Sequence, residues 1–417
     1  MKQVKNGYKN TEVGLIPEDW LIGNLGELCS KVTDGTHDTP KPTNTGVPFI
    51  TAIHVKENYI HFENCYFLPK EVHSEIYKRC NPEMNDVLMV NIGAGVGTTA
   101  VVNVSYEFSL KNVALLKCSS KLTGRYLNNT IVYKKNKILN DFIAGGAQPF
   151  LSLGQISKIK IPLPPTLTEQ KSIATALSDV DELITKLEKL IEKKKAIKQG
   201  AMQQLLTPPH KGGKRLEGFS GEWVETTLGE SIKLQGGYAF SSNSFVNDGT
   251  PILRISNIQD NLIDLNEVVF SKELTIPKDF IVAKGDVLIA MSGATTGKIG
   301  IYKFNYNSFI NQRVGKFRVK DNKLIDLNFI SHLVRSKKFQ IELTKQIAQG
   351  AQPNISGNQI ESIVLPIPKD INEQIEIGKI LSDIDNSIQH LEFKREKQVE
   401  IKQGMMQELL TGKTRLV

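Results

Sequence analysis

At 417 residues, with 40% hydrophobic and 23% charged residues, the chain has enough material for two cores of ordinary domain size and reads as soluble and globular. Its net charge of +8 suits a polyanionic partner. Met1–Trp20 carries no secretory hydrophobic stretch and no apolar run reaches about 18 residues, so a cytoplasmic protein without a membrane partner is expected.

In chain order the same parts occur twice. Each copy begins near a tryptophan and a Leu-Gly-Glu turn, Trp20 with Leu25-Gly26-Glu27 and Trp223 with Leu228-Gly229-Glu230. Short β-branched and aromatic runs follow, such as Val47–Ile53 and Pro251–Ile258, and predict strands. Then a strand enters a glycine-rich loop: Asp86–Val90 before Gly93-Ala94-Gly95-Val96-Gly97, and Asp286–Ala290 before Ser292–Lys298. From Gly146-Ala147-Gln148-Pro149 onward the repeat needs no gap, since this loop returns as Gly350-Ala351-Gln352-Pro353, 204 positions later. Pro162–Pro165 and Pro366–Pro368 are expected to stop the globular part.

Two long helices follow the prolines. Ile173, Leu177, Val180, Ile184, Leu187 and Ile191 step by four and three, and Ile377, Leu381, Ile384, Ile388 and Leu391 repeat the seam. Thr168 and Asn372 are the expected N-caps. Each helix spans about 40 residues, or roughly 60 Å. The expected fold is α+β: two globular modules of mixed sheet and short helices, held apart by two long antiparallel coiled-coil helices with pseudo-two-fold symmetry. The expected divisions are a first module over 1–166, a spacer helix over 167–207, a second module over 208–370, and a second spacer helix and tail over 371–417. Between Lys186 and Arg215 nine Lys/Arg face two acidic residues, a solvated helix face or a phosphate contact.

Catalytic and metal-binding patterns do not emerge. Gly293–Lys298 resembles a phosphate loop, but Ser292 and Ile299 occupy places that such a loop gives to Gly and Ser/Thr. Asp383 and Asp385 with Glu392 lie on a heptad helix, where a nuclease strand edge cannot form. The seven histidines show no ligand spacing. Cys29, Cys65, Cys80 and Cys118 all lie in the first copy and read as buried reduced thiols. No catalytic residue, metal ligand or cofactor is expected in this chain.

Pro162-Leu163-Pro164-Pro165, then Glu169-Gln170, Leu177-Ser178-Asp179-Val180-Asp181 and Ile197–Thr207, together with the second ending Gln403–Leu416, resemble the specificity (S, or HsdS) subunits of Type I restriction–modification systems. The resemblance covers the whole chain. It implies two target-recognition domains, each reading one half of a bipartite double-stranded DNA site, with conserved helices that set the gap and dock two methyltransferase subunits. It places S-adenosylmethionine and adenine methylation on those methyltransferases, and ATP and Mg on restriction (translocase) subunits. A specificity module of another methyltransferase-based DNA defence system without a restriction subunit, or a coiled-coil scaffold, is the alternative; a stand-alone nuclease or methyltransferase lacks its motifs.

Base reading needs side chains with paired donors and acceptors, and phosphate contacts need Lys, Arg and loop amides. In the second module Arg254, Asn257, Ser292, Lys298, Gln312 and Arg313 meet that description, and in the first Thr51, His54, Asn91, Lys111 and Asn112 fall at corresponding places. Gln148 and Gln352, identical in the two copies, suit backbone positioning. Asn91 set against Ser292, and Lys111-Asn112 against Gln312-Arg313, implies an asymmetric target. The repeated polar helix residues Lys198, Gln199, Gln203, Lys402, Gln403 and Gln407 are the candidate partner contacts.

Overall fold

The protein is described by a computed structural model over residues 6–142, 149–272, 276–347 and 353–416. The chain divides into two compact units, 1–188 with 393–417, and 189–392. The division cuts both long helices, Leu167–Leu205 and Ile371–Leu409, each of 39 residues. Each unit therefore joins one module to the start of the helix that follows it and to the end of the other long helix.

In the first unit a four-stranded antiparallel sheet has the order Thr99–Val101, Val87–Val90, Val113–Cys118, Cys29–Asp34. A three-stranded sheet pairs Val47–Thr51 in parallel with Ser109–Lys111 and antiparallel with Tyr66–Leu68. Val87–Val90 is buried at all four positions, as a strand covered on both faces requires. Val87 and Met89 pack with Trp20, Tyr126 and Ile173, while Leu88 and Val90 pack with Ile50, Phe108 and Leu110. The two-residue strand period thus feeds two cores from one sheet.

The second unit repeats the sheet as Ile299–Ile301, Val287–Ala290, Val314–Val319, Ile232–Gly236. Its companion sheet runs Val269–Ser271, Thr250–Leu253, Ser308–Ile310, Ile281–Val282. The same alternation splits Val287 and Ile289 from Leu288 and Ala290 between two cores.

The proline runs do not stop the modules; they close them. Lys160–Leu163 pairs with Leu21–Asn24, and Val364–Pro368 with Trp223–Thr227. These are two-stranded ribbons, whose open edges accept residues that lack an N–H.

The long helices begin ahead of the expected caps. Thr166 Oγ1 accepts from Glu169 N (3.2 Å), and Asp370 Oδ1 accepts from Asn372 N (2.9 Å), so Thr168 and Asn372 lie inside the first turn. The shift serves the buried Glu-Gln pairs. Gln170 accepts from Thr123 N and donates to Lys121 O, and Gln374 accepts from Asp326 N and donates to Leu324 O. The seam faces inward in each unit, with Ile173, Leu177, Leu187, Ile191, Ile377, Leu381 and Ile388 buried. The cysteines are free thiols; burial pushes those of Cys29 and Cys80 up to about 12.

Candidate nucleic-acid interface

In the second unit the candidate loops meet at one end of the module. Asn311 N donates to Leu253 O (3.0 Å), which sets Arg254 beside the 311–313 loop. Met291 N donates to Arg313 O (2.9 Å), and Thr295 Oγ1 donates to Ile255 O (2.8 Å), tying the glycine-rich loop to both. Gln312 and Arg313 are exposed. The Arg313 guanidinium has no side-chain hydrogen bond or ion pair among the described residues, so it faces solvent uncommitted. Lys298 donates to Gln259 Oε1 (2.9 Å), and Arg254 Nη2 donates to Glu267 O (2.9 Å).

The first unit gathers the equivalent loops. Lys111 lies in register with Thr51, and the pairing of Val90 with Val113 carries Asn91 beside Asn112. Three expected readers are turned inward, however. His54 is 4% exposed and Nδ1 accepts from Thr51 N (3.0 Å); Asn257 is 2% exposed and Oδ1 accepts from Arg254 N (2.9 Å). Both build the same single-turn helix after a strand, which is why each copy carries an acceptor there. Asn91 is buried too, with a carboxamide oxygen that lacks a partner among the described residues. Gln148 and Gln352 lie outside the described residues.

The expected pairings between copies also move. Asn91 occupies the place of Met291, and Ile92 that of Ser292, since these two bridge to Phe150 and Asn354 respectively. Lys111 matches Asn311, because Thr36 bridges to one and Tyr238 to the other. The second module's loop is longer by one residue, and Arg313 is the surplus.

A further difference carries no motif in the sequence. In the first unit His37 Nδ1 lies 3.0 Å from Asn112 Oδ1 and Nε2 lies 3.1 Å from Asp34 Oδ2, while Asp34 also holds Arg79 (2.6 Å). The matching edge of the second module is aromatic: Tyr238 stacks edge-on with Phe240 (4.9 Å) and Phe280 (5.4 Å). The sequence difference is the dipeptide that follows Gly35 and Gly237, Thr36-His37 in one copy and Tyr238-Ala239 in the other.

On the helices, Gln199, Gln203, Gln403 and Gln407 are exposed, but Lys198 and Lys402 are not free. Lys402 binds Asp181 (2.6 Å) in the first unit and Lys198 binds Asp385 (2.6 Å) in the second. Glu188 with Arg395, and Lys195 with Glu392, extend the pattern, so the helix segments run antiparallel inside each unit. In the second unit Arg335 adds a second cation on Asp385 (3.4 Å), and its Nη2 lies 2.9 Å from His332 Nδ1. His332 is 1% exposed; burial first, then the charge of Arg335, hold its imidazole down at about 3. The unfolded chain, with histidine near 6.5, takes up that proton first. Stability is therefore complete above about pH 6.5 and falls as pH drops toward about 3, by about 2 kcal/mol at pH 5. His332→Asn, which installs the residue found at the matching Asn129, is expected to remove that slope. Urea midpoints at pH 7 and pH 5 that move equally in the two proteins would contradict it.

No group of His, Cys, Asp and Glu among the described residues could hold a metal ion, and no described helix is long and apolar enough to cross a membrane.

A family model described as the Type I restriction modification DNA specificity domain matches residues 17–199 and again residues 220–401. The Type I restriction enzyme MjaVIII specificity subunit of Methanocaldococcus jannaschii is 29% identical over 416 residues, covering 96% of this chain and 94% of that protein. The putative MjaX specificity subunit of the same organism is 28% identical over 430 residues, covering 99% and 97%. Among solved structures, the Type-I restriction-modification system S subunit from M. genitalium has the same fold, with a TM-score of 0.64 at 15% identity over 98% of this chain and 97% of that one.

Proposed function

Because the chain belongs to the Type I restriction modification DNA specificity domain family, we propose that it is the subunit that gives such an enzyme its DNA sequence. Each module reads one half of an asymmetric bipartite site, and the spacer helices fix the gap. The observation that carries this is the convergence of three loops at one end of the second module, where Arg313 presents an exposed guanidinium that no described residue pairs. A guanidinium of that kind suits the paired acceptors of guanine in the major groove. Lys298 and Arg254, each anchored to the protein, are better placed to hold phosphates and register. In the first module Lys111, Asn112 and His37 take the corresponding place, with different chemistry, so the half-sites differ.

Arg313→Ala is expected to cost about 1–3 kcal/mol of discrimination at one half-site, roughly 5- to 150-fold, while leaving the other half-site untouched. Competition binding with duplexes altered in one half at a time measures this; full discrimination in the variant would remove Arg313 from the reading surface.

Methylation and cleavage belong to partners. Two methyltransferase subunits, carrying S-adenosylmethionine, dock on the exposed glutamines of the two helices, and restriction subunits using ATP and Mg complete the complex. Support for two equal docking sites comes from Gln199 and Gln203 recurring as Gln403 and Gln407, exposed in both copies. Gln403→Arg with Gln407→Arg is expected to leave one methyltransferase per chain by native mass spectrometry. Retention of two would place the docking surface elsewhere.

A further inference from the structure

The second unit contains an open cleft of about 1180 Å³ between its spacer-helix segments and its module. The floor is the ion cluster of Lys198, Asp385 and Arg335, with side chains 15%, 22% and 6% exposed. Lys284 and Lys303 stand on the module side, and Lys195 on the helix side. Most of the carboxylates in the cleft are already engaged. Asp385 is shared by two cations, Glu392 holds Lys195, and Asp326 Oδ1 accepts from Phe329 N; Asp260 also lines the cleft and is exposed.

Lys303 differs from its neighbours. It makes no ion pair or side-chain hydrogen bond among the described residues, and Lys284 bonds only to the neutral amide of Asn305 (3.0 Å). Burial, the largest influence on it, lowers the Lys303 ammonium's pKa. Lys303 is exposed on the cleft wall, and the Asp385 charge that acts on it is already shared by Lys198 and Arg335, so an incoming anion meets an ammonium with no direct partner.

The sister unit provides the comparison. Asn85 N bonds to Val102 O as Gly285 N bonds to Tyr302 O, which matches Met84 to Lys284 and Asn103 to Lys303. The Gln170 and Gln374 contacts match Thr123 to Asp326, and hence Asn129 to His332 and Val132 to Arg335. The same fold therefore forms in the first unit without any of these three cations, so they are not there to hold it together. They are an addition made at one face of one unit.

We propose that this cleft binds phosphate, with the Lys284 and Lys303 ammonium groups as its ligands and the Lys198–Asp385–Arg335 cluster as its fixed positive floor. Lysine serves phosphate as a mobile point charge, whereas Arg335 is held by Ser331 O (2.7 Å), Asp385 and His332 and sets the field behind it. Two sources carry that chemistry: the backbone of DNA beyond the base-reading loops, which rests on the function proposed above, and a free nucleoside triphosphate, which does not.

The test uses the full chain and the double variant Lys284→Met with Lys303→Asn, the residues that the first unit already accommodates. Equal urea midpoints for the two proteins establish that both are folded. Binding of a duplex without the recognition sequence is titrated against salt, and binding of ATP and of pyrophosphate is followed by calorimetry. If DNA is the source, the slope of log affinity against log salt falls by about 2 in the variant, roughly 0.9 for each phosphate no longer neutralised. If a free phosphate compound is the source, the wild type binds ATP or pyrophosphate and the variant does not. Lys303→Arg, keeping the charge, is expected to restore most of either signal. Identical salt slopes, together with no binding of either phosphate compound by the wild type, overturn the proposal. A wild type that fails to distinguish specific from non-specific DNA speaks against the proposed function instead, since the slope difference does not depend on discrimination.

Discussion

Asp385→Ala is expected to destabilise the second unit by about 3 kcal/mol, and Asp181→Ala the first by only about 1 kcal/mol, although the two aspartates occupy the same place in the repeat. Asp385 answers both Lys198 (2.6 Å) and Arg335 (3.4 Å), and its removal leaves two buried cations beside Lys303 and His332. Asp181 answers Lys402 alone and is itself 35% exposed, so water replaces part of the missing interaction. Burial would raise the Asp385 carboxyl, but the Lys198 hydrogen bond, the Lys198 charge and the Arg335 charge outweigh it and hold it below the usual carboxylate range. A carboxyl lowered on folding stabilises above its unfolded value, near 3.9, and loses that contribution as pH falls through the lower folded value. The difference between the two substitutions is therefore largest at neutral pH. Urea unfolding at pH 7 decides it, and equal losses for the two variants would contradict the unequal burial of the pairs.

The second large effect is at the chain's end. Arg415→Ala is expected to cost the first unit about 3 kcal/mol, because it strips a buried carboxylate of its cation. Glu169 is 1% exposed and takes Arg415 Nε and Nη2 on its two oxygens, the latter at 2.9 Å, while Nη1 and Nη2 bridge to Asp19 at 2.9 Å each. In the second unit the matching Glu373 accepts from Arg215 Nε (3.2 Å) and Nη2 (3.4 Å) and also from Trp223 Nε1 (3.2 Å). The matching indole N–H of Trp20 has no partner among the described residues, so Glu169 leans more heavily on its arginine. Arg215→Ala is accordingly expected to cost distinctly less than Arg415→Ala. Arg415→Lys recovers only part of the loss, since an ammonium cannot reproduce the fork. Equal midpoints for Arg415→Ala and the wild type would show that water reaches Glu169 and solvates it.

The duplication, the two modules and the two long helices were legible in the sequence because each rests on a local signal: a fixed offset, a strand period, a heptad seam. What was not legible depends on partners distant along the chain. Lys198 and Lys402 looked like docking residues because they repeat, yet Asp181 and Asp385 repeat at the same offset, and each lysine meets the aspartate of the other helix. A repeated pair of opposite charges is a signal of mutual pairing, and it was present. His54 and Asn257 misled in a similar way, since a polar residue kept at one place in two diverging modules was serving the turn. The helix starts at 167 and 371 were legible, but the caps were set inside the first turn, and Glu169 and Glu373, polar residues in an exposed-looking first turn, are buried by arginines from segments 246 and 158 positions away. Arg313, Lys111 and Asn112 could be placed beside strand ends from the sequence because loops there are where base-reading residue types can be presented; their role as readers is the proposal made above. The contacts of His37 with Asp34 and Asn112 were not legible in the sequence because these residues come together only through the sheet.

The most direct measurement is the map of N6-methyladenine across the genome of the host, by long-read sequencing, with this chain intact, deleted, and carrying Arg313→Ala. A two-module specificity subunit predicts one bipartite, asymmetric motif with a fixed gap, lost on deletion and relaxed in only one half by the substitution. A methylation pattern unchanged by deletion, or a lost motif that is one uninterrupted run of bases, would contradict it.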